Sequence, residues 1–227
     1  MQMQKVNYQK KLDAIIEELE RSERVPTLLL HSCCAPCSSY VLEYLSEFFS
    51  ITVLYYNPNI YPEAEFYKRE EEERRLISEM PAKHKITLMK AEFDPSEFYE
   101  AVKGLEHIKE GGERCFACYR LRLERTAETA KKLGFDYFTT TLSISPLKNS
   151  QKINQIAQEL AEKHGVKCLP SDFKKKEGYK RSIELSKQYG LYRQDYCGCV
   201  FSQNEREKQN MTQKHSKNAV ISEFSAI

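Results

Sequence analysis

Short apolar runs alternate regularly with longer segments of helical periodicity, and this narrows the fold of the chain more than any other feature. Over residues 8–21, Leu12, Ile15, Ile16 and Leu19 recur at helical spacing, and Pro26 then introduces the apolar run Thr27-Leu28-Leu29-Leu30. Runs of strand length follow at residues 51–56, 85–90, 137–140 and 166–169. Helices are predicted over residues 63–79, 113–133, 151–164 and 177–189, with Gly134 stopping the second of them. A sheet whose successive strands are joined through helices runs mainly parallel and is covered on both faces. The pattern therefore predicts a doubly wound α/β fold, a mainly parallel sheet flanked by helices, with ligands bound beyond the carboxyl ends of the strands.

With 41% hydrophobic residues in 227, the chain can bury one substantial core. We divide it into an N-terminal helix (1–24), an α/β catalytic domain carrying a metal centre (25–202) and a polar C-terminal tail (203–227) rich in Gln, Asn and Lys. Lys and Arg (35) nearly balance Asp and Glu (33), so any nucleic-acid contact must use local patches and not a molecule-wide field. The sequence has no apolar run of membrane-spanning length, and its start, Met1-Gln2-Met3-Gln4-Lys5, lacks a signal-peptide core. A cytoplasmic protein without membrane contact is expected. In a reducing compartment its eight cysteines point to metal binding or redox chemistry and not to structural disulfides.

The cysteines fall into three groups: Cys33, Cys34 and Cys37 after the first strand, Cys115 and Cys118 at the start of a helix, and Cys197 and Cys199 near the end of the core. Cys168 lies alone in an apolar strand and reads as a core residue. Two cysteines three residues apart on a helical turn can aim both sulfurs at one metal. Leaving out Cys168, seven grouped cysteines exceed the four ligands of one tetrahedral zinc, so a multinuclear centre or two sites is expected. Four thiolates would hold a [4Fe-4S] cluster and leave the others for a second ion or for substrate chemistry. Spacing alone also admits a zinc-stabilised RNA-binding or scaffold protein, and a thiol–disulfide oxidoreductase using Cys115-Phe116-Ala117-Cys118.

Four segments, in order and spacing, resemble the QueH-type, cobalamin-free epoxyqueuosine reductase family: His31-Ser32-Cys33-Cys34-Ala35-Pro36-Cys37, Tyr56-Asn57-Pro58-Asn59-Ile60-Tyr61-Pro62, Cys115-Phe116-Ala117-Cys118-Tyr119-Arg120-Leu121-Arg122 and Tyr196-Cys197-Gly198-Cys199. The stretch from Thr139 to Pro146 and the following Lys148 look familial as well. The resemblance implies a fold related to the adenine nucleotide α-hydrolase (HUP-like) fold and reduction of epoxyqueuosine to queuosine in tRNA, the last step in making that anticodon base. It also implies an iron–sulfur cluster beside a mononuclear metal ion, iron or, in the isolated protein, zinc. In that family aspartate also stands at the position of Cys37. No Walker motif or Ser-Gly-Gly-rich loop follows the first strand, where the cysteines stand instead.

Removing an epoxide oxygen takes two electrons and two protons, which requires a redox cofactor and an electron donor that the sequence does not identify. Asp195, Tyr196, Tyr61 and Asp172 are candidate proton donors. For the tRNA, Lys174, Lys175, Lys176, Lys180 and Arg181 form a candidate substrate-binding patch. Arg114, Arg120, Arg122 and Arg125 form a second set for phosphates, and Phe173, Tyr179 or Tyr61 could stack on a base.

Overall fold

The computed structural model describes residues 6–90 and 92–211. Its centre is a parallel sheet of five strands, β1 (Thr27–His31), β2 (Ser50–Tyr55), β3 (Ile86–Lys90), β4 (Tyr137–Thr140) and β5 (Lys167–Cys168), in the order β3-β2-β1-β4-β5. The chain builds outward from β1 to β3, then crosses back to lay β4 against the other side of β1. The expected doubly wound architecture is thus present, and its switch point lies between the carboxyl ends of β1 and β4.

Alternation of side chains along each strand divides the core in two. Leu28 and Leu30 of β1, with Ile51 and Val53 of β2, pack on one face with α1 (Tyr8–Ser22), α2 (Ala35–Leu45) and α3 (Glu63–Glu79). Leu29, Leu54 and Phe138 turn to the other face, against α5 (Glu113–Leu133) and α6 (Ser150–His164). Because β1 is covered on both faces, its Leu28-Leu29-Leu30 reads as a continuous apolar run instead of an alternating one. α7 (Gly178–Gln188) packs beside α2.

Helices α2 and α4 (Ser96–Ala101) go beyond what periodicity indicates. The buried face of α2 includes Ser38 and Ser39, whose hydroxyls return to the carbonyls of Ala35 and Pro36, so its inward side does not read as apolar. β5 is shorter than its apolar run because it is an edge strand paired only with β4. Residues 200–211 form an eighth helix, α8, which crosses the tail boundary drawn at residue 203. Its first turns are docked by an ion pair between buried Arg114 and Glu205 (2.9 Å). The rest of the tail, 212–227, and the opening residues 1–5 lie outside the described residues. Among those described, no helix is long and apolar enough to cross a membrane.

Candidate metal centre

Every cysteine group stands at the start of a helix. Cys34 is the N-cap of α2 and Cys37 lies in its first turn, with Cys37 N–H donating to the Cys34 carbonyl (3.0 Å). Cys115 and Cys118 occupy the first two turns of α5, and the Gly111 N–H donates to Cys115 Sγ (3.2 Å). Cys199 precedes α8, and its sulfur accepts from the Ser202 N–H (3.4 Å), as a capping side chain does. The first N–H groups of a helix have no partner within it and carry partial positive charge, so three helix ends favour thiolates here.

The structure brings the seven grouped cysteines together as two neighbouring sets. The sulfurs of Cys33, Cys34 and Cys37 all lie within 4.8 Å of one another, at the switch point. They open onto a cavity of about 370 Å³ that is also lined by Arg69, Lys148, Tyr179, Arg193, Asp195 and Tyr196. Cys115, Cys118, Cys197 and Cys199 surround a nearly closed gap of about 10 Å³ beneath Phe98. Cys197, Lys148 and Glu110 border both spaces, so the two sets adjoin. Cys168, on β5, packs against the α5–α6 side of the core and lines neither. All eight cysteines are free thiols.

One thiol in each set is acidified. Hydrogen bonds from the Cys34 and Cys37 thiols hold Cys33 well below the ordinary thiol value against burial, with Lys148 and Arg122 adding to the effect. The hydrogen bond from Cys199 does the same for Cys197. The partners move the other way: Cys37, next to the Cys33 charge, rises to about 12, and burial lifts Cys118 to about 11. Burial opposes the charge of Lys148, but Cys197, Cys33 and Cys37 outweigh it and keep the ammonium protonated.

Loop contacts fix this arrangement. The Asn57 amide donates to the Ser32 carbonyl (2.8 Å), and the Ser32 N–H continues the ladder to the Leu54 carbonyl (3.1 Å). Fully buried His31 bridges the strand ends, with Nδ1 on Thr140 Oγ1 (2.8 Å) and Nε2 on the Tyr56 carbonyl (3.1 Å), and burial lowers its pKa to about 3, leaving it neutral. The Cys197-Gly198-Cys199 turn is held by the Tyr61 N–H on the Gly198 carbonyl (2.8 Å) and by Arg69 on the Cys197 carbonyl (3.4 Å). Gly198 has φ +114°, and a Cβ there would come within 2.9 Å of Arg69 Nη1, so both conformation and space require glycine.

The other expected residues divide. Asp195 and Tyr196 line the open cavity, as does Tyr179, whereas Tyr61 and Asp172 do not. Phe173 is fully buried in the core and cannot stack on a base. The basic patch is largely spent on local acids: Lys174 pairs with Asp172, Lys176 with Asp13, Lys180 with Glu177, and Arg181 with Glu43 and Glu184. Lys175 is exposed. Of the second set, Arg114 and Arg122 point inward and are buried, which removes them as phosphate contacts, while Arg120 and Arg125 pair with Glu159 and Glu97. Arg122, expected as a phosphate contact, instead lies on the buried face of α5 with Cys118, Tyr119 and Leu123. Sequence reading missed Arg69, which lies among the glutamates of α3 with nothing in the local pattern to mark it as buried.

The donor set fits a thiolate-bound metal in chemistry, number and charge. Seven thiols adjoin, and the buried Arg69 and Arg122 each keep one Nη2 without an acceptor beside them, as counter-charges for an anionic centre would.

A family model for epoxyqueuosine reductase QueH matches residues 28–205. Epoxyqueuosine reductase QueH of Streptococcus pyogenes serotype M1 is 44% identical over 201 residues, covering 88% of this chain and 79% of its own. The protein of the same description from Staphylococcus epidermidis is 43% identical over 206 residues, covering 89% and 87%, and that from Thermotoga maritima 39% over 189 residues, covering 81% and 94%. A solved structure described as a predicted subunit of tRNA methyltransferase from Methanocaldococcus jannaschii aligns at TM-score 0.46 and 16% identity, over 70% of this chain and 74% of that one.

Proposed function

The chain belongs to the epoxyqueuosine reductase QueH family, and from that premise we propose that it reduces epoxyqueuosine in a tRNA anticodon loop to queuosine, using metal held by its seven grouped cysteines. The convergence of those cysteines on the switch-point cavity and the gap beside it, next to the buried Arg122 that has no carboxylate partner among the described residues, carries the reading. The reaction adds two electrons and two protons to the epoxide and yields an alkene and water. The electrons come from an external donor.

Cys115, Cys118, Cys197 and Cys199 would hold a [4Fe-4S] cluster, because four thiolates complete one and the set is enclosed. Cys33, Cys34 and Cys37 would hold a single ion, iron in the working enzyme, because a catalytic ion keeps a position open to substrate and this set faces the larger cavity. When bound, these groups supply single electrons and a Lewis acid for the epoxide oxygen. Lys148 brings a permanent positive charge to the cavity wall and stabilises the oxyanion that develops as the C–O bond breaks. Tyr196 lines the same space and would deliver a proton, whereas Asp195, ion-paired with Arg206 (3.0 Å), would do so only after that pair opens. Tyr179 and Tyr196 offer faces on which an extruded base can stack. For the tRNA backbone, Lys175 is the member of the Lys174, Lys175, Lys176, Lys180 and Arg181 patch best placed to meet a phosphate. The other four reach the RNA by exchanging a carboxylate for a phosphate.

The test is anaerobic purification, analysis of iron, zinc and acid-labile sulfide, and nucleoside analysis of epoxyqueuosine-tRNA after incubation with reductant. Iron with sulfide, together with queuosine formation, is the expected result. Zinc alone after anaerobic reconstitution would overturn the reading in favour of a zinc-stabilised RNA-binding or scaffold protein.

A further inference from the structure

Arg122 is a buried charge without a compensating carboxylate. It lies one turn beyond Cys118 on α5 and is 1% exposed, so solvent cannot neutralise it. Its Nε donates to the Cys118 carbonyl (3.3 Å), and its Nη2 has no acceptor. The other buried arginines are paired, Arg69 with Glu65 (2.7 Å) and Arg114 with Glu205 (2.9 Å). Among the described residues Arg122 has no such partner and borders the gap formed by Cys115, Cys118, Cys197 and Cys199. A lone guanidinium in a protein interior is strongly destabilising unless an anion stands against it. Acting on Arg122 from around it are the thiols of Cys118, Cys197 and Cys33 and the Tyr119 hydroxyl, while Glu110, which lines the same gap, accepts from Ser202 Oγ (2.9 Å).

We propose that Arg122 is the fixed counter-charge of the metal–thiolate centre, a positioning residue that makes the centre easier to reduce and helps retain it. This rests on the reading that the four enclosed cysteines hold an iron–sulfur cluster. A cluster bound by four thiolates is anionic and gains a further negative charge on reduction. A permanent cation at its edge, in low dielectric, therefore stabilises the reduced form more than the oxidised form and raises the potential. Arg69 and Arg114 act less, because a carboxylate already offsets each. Lys148 borders both spaces and divides its charge between Cys197 and the Cys33 and Cys37 of the open set, and, being half-buried, it is better screened than Arg122.

The same geometry makes the contribution of Arg122 depend on the metal. It is largest with the thiolates and metal in place, and smaller in stripped protein, where the acidified Cys197 and Cys33 are the anions left near it.

Full-length wild type, Arg122→Met, Arg122→Gln and Arg122→Lys are reconstituted anaerobically. For each, iron and sulfide content, the midpoint potential from a dye-mediated titration of the visible spectrum, and melting temperatures of loaded and stripped protein at about pH 6 are recorded. The neutral Met and Gln variants should hold less cluster and show a potential shifted negative, and the Lys variant should stay near wild type. Arg122→Met should lower the melting temperature of the loaded protein more than that of the stripped protein. Wild-type potential and iron content in both neutral variants would overturn the inference while leaving the cluster reading intact. Neutral variants that fail to fold when stripped, or that lose as much melting temperature stripped as loaded, would also overturn it, by making Arg122 a structural residue. A wild type that takes up no iron and sulfide would remove the reading beneath it.

Discussion

The two cysteine sets use the same residue type and the same helix-end chemistry but occupy opposite surroundings. Cys33, Cys34 and Cys37 stand at the floor of a cavity of about 370 Å³ at the switch point of the sheet, whereas Cys115, Cys118, Cys197 and Cys199 enclose about 10 Å³. Their charges differ as well. The enclosed set is backed by Arg122, which has no carboxylate partner among the described residues, and the open set by fully buried Glu73 and by Arg69, whose charge Glu65 already offsets. A site that must exchange substrate needs open volume and a group that can vary in protonation. A site that must hold a permanent anionic centre needs closure and fixed cations.

The sharpest way to break this contrast is to substitute cysteines singly in both sets. Cys118→Ser and Cys199→Ser should abolish sulfide and most iron and lower turnover by more than about 100-fold, since loss of an outer-shell partner alone can cost about 10–100-fold. Cys34→Ser should also abolish turnover but keep sulfide, losing about one iron per chain. Equal loss of iron and sulfide from both sets would show that they form one site.

Glu73 tests the acidic side of the comparison. Burial pushes its carboxyl up to about 7, with the Ser38 and Ser32 hydroxyls pulling the other way. A folded-state value above the ordinary 4.5 means that the native state keeps a proton which the unfolded chain releases, so stability falls as pH rises from about 4.5 to about 7. Glu73→Gln removes that loss. In chelator-stripped protein its stability relative to wild type should grow by about 3 kcal/mol across this window, measured by urea unfolding. Parallel pH profiles would show that Glu73 is not the buried acid of this floor.

Gly198→Ala tests how the two sets are joined, because the turn carrying Cys197 and Cys199 is locked against Arg69. The positive φ and the close approach should destabilise the protein by about 1–3 kcal/mol, read as a lower melting temperature, and should reduce metal retention. The smallest effect is expected on the basic patch. Lys175→Ala should raise the tRNA KM modestly and reduce the salt slope of binding by about 0.7–0.9, leaving iron unchanged. Lys176→Ala, which also removes the Asp13 pair, should do no more.

Much of this was legible before any tertiary contact. Helix α5 begins and ends at the residues that Glu113 and Gly134 signal, because a helix start and a left-handed glycine stop are local events. The central strand β1 was recognisable because burial on both faces makes Leu28-Leu29-Leu30 a continuous apolar run. α2 was not, because serines returning hydroxyls to the helix backbone hide its inward face. The three cysteine groups, and their excess over one tetrahedral site, were visible as spacing alone.

Tertiary structure decided which cysteines meet. Residues 115 and 118 join 197 and 199 across the fold because α5 and the turn before α8 converge under Phe98, a long-range packing that no local periodicity encodes. It also decided which charges matter. Arg120 and Arg122 are two residues apart on one helix, yet one pairs with Glu159 at the surface and the other is buried beside the thiols. Sequence fixes the type and spacing of such groups. Burial, and the loss of solvent screening that turns a surface cation into a counter-charge, comes only from packing.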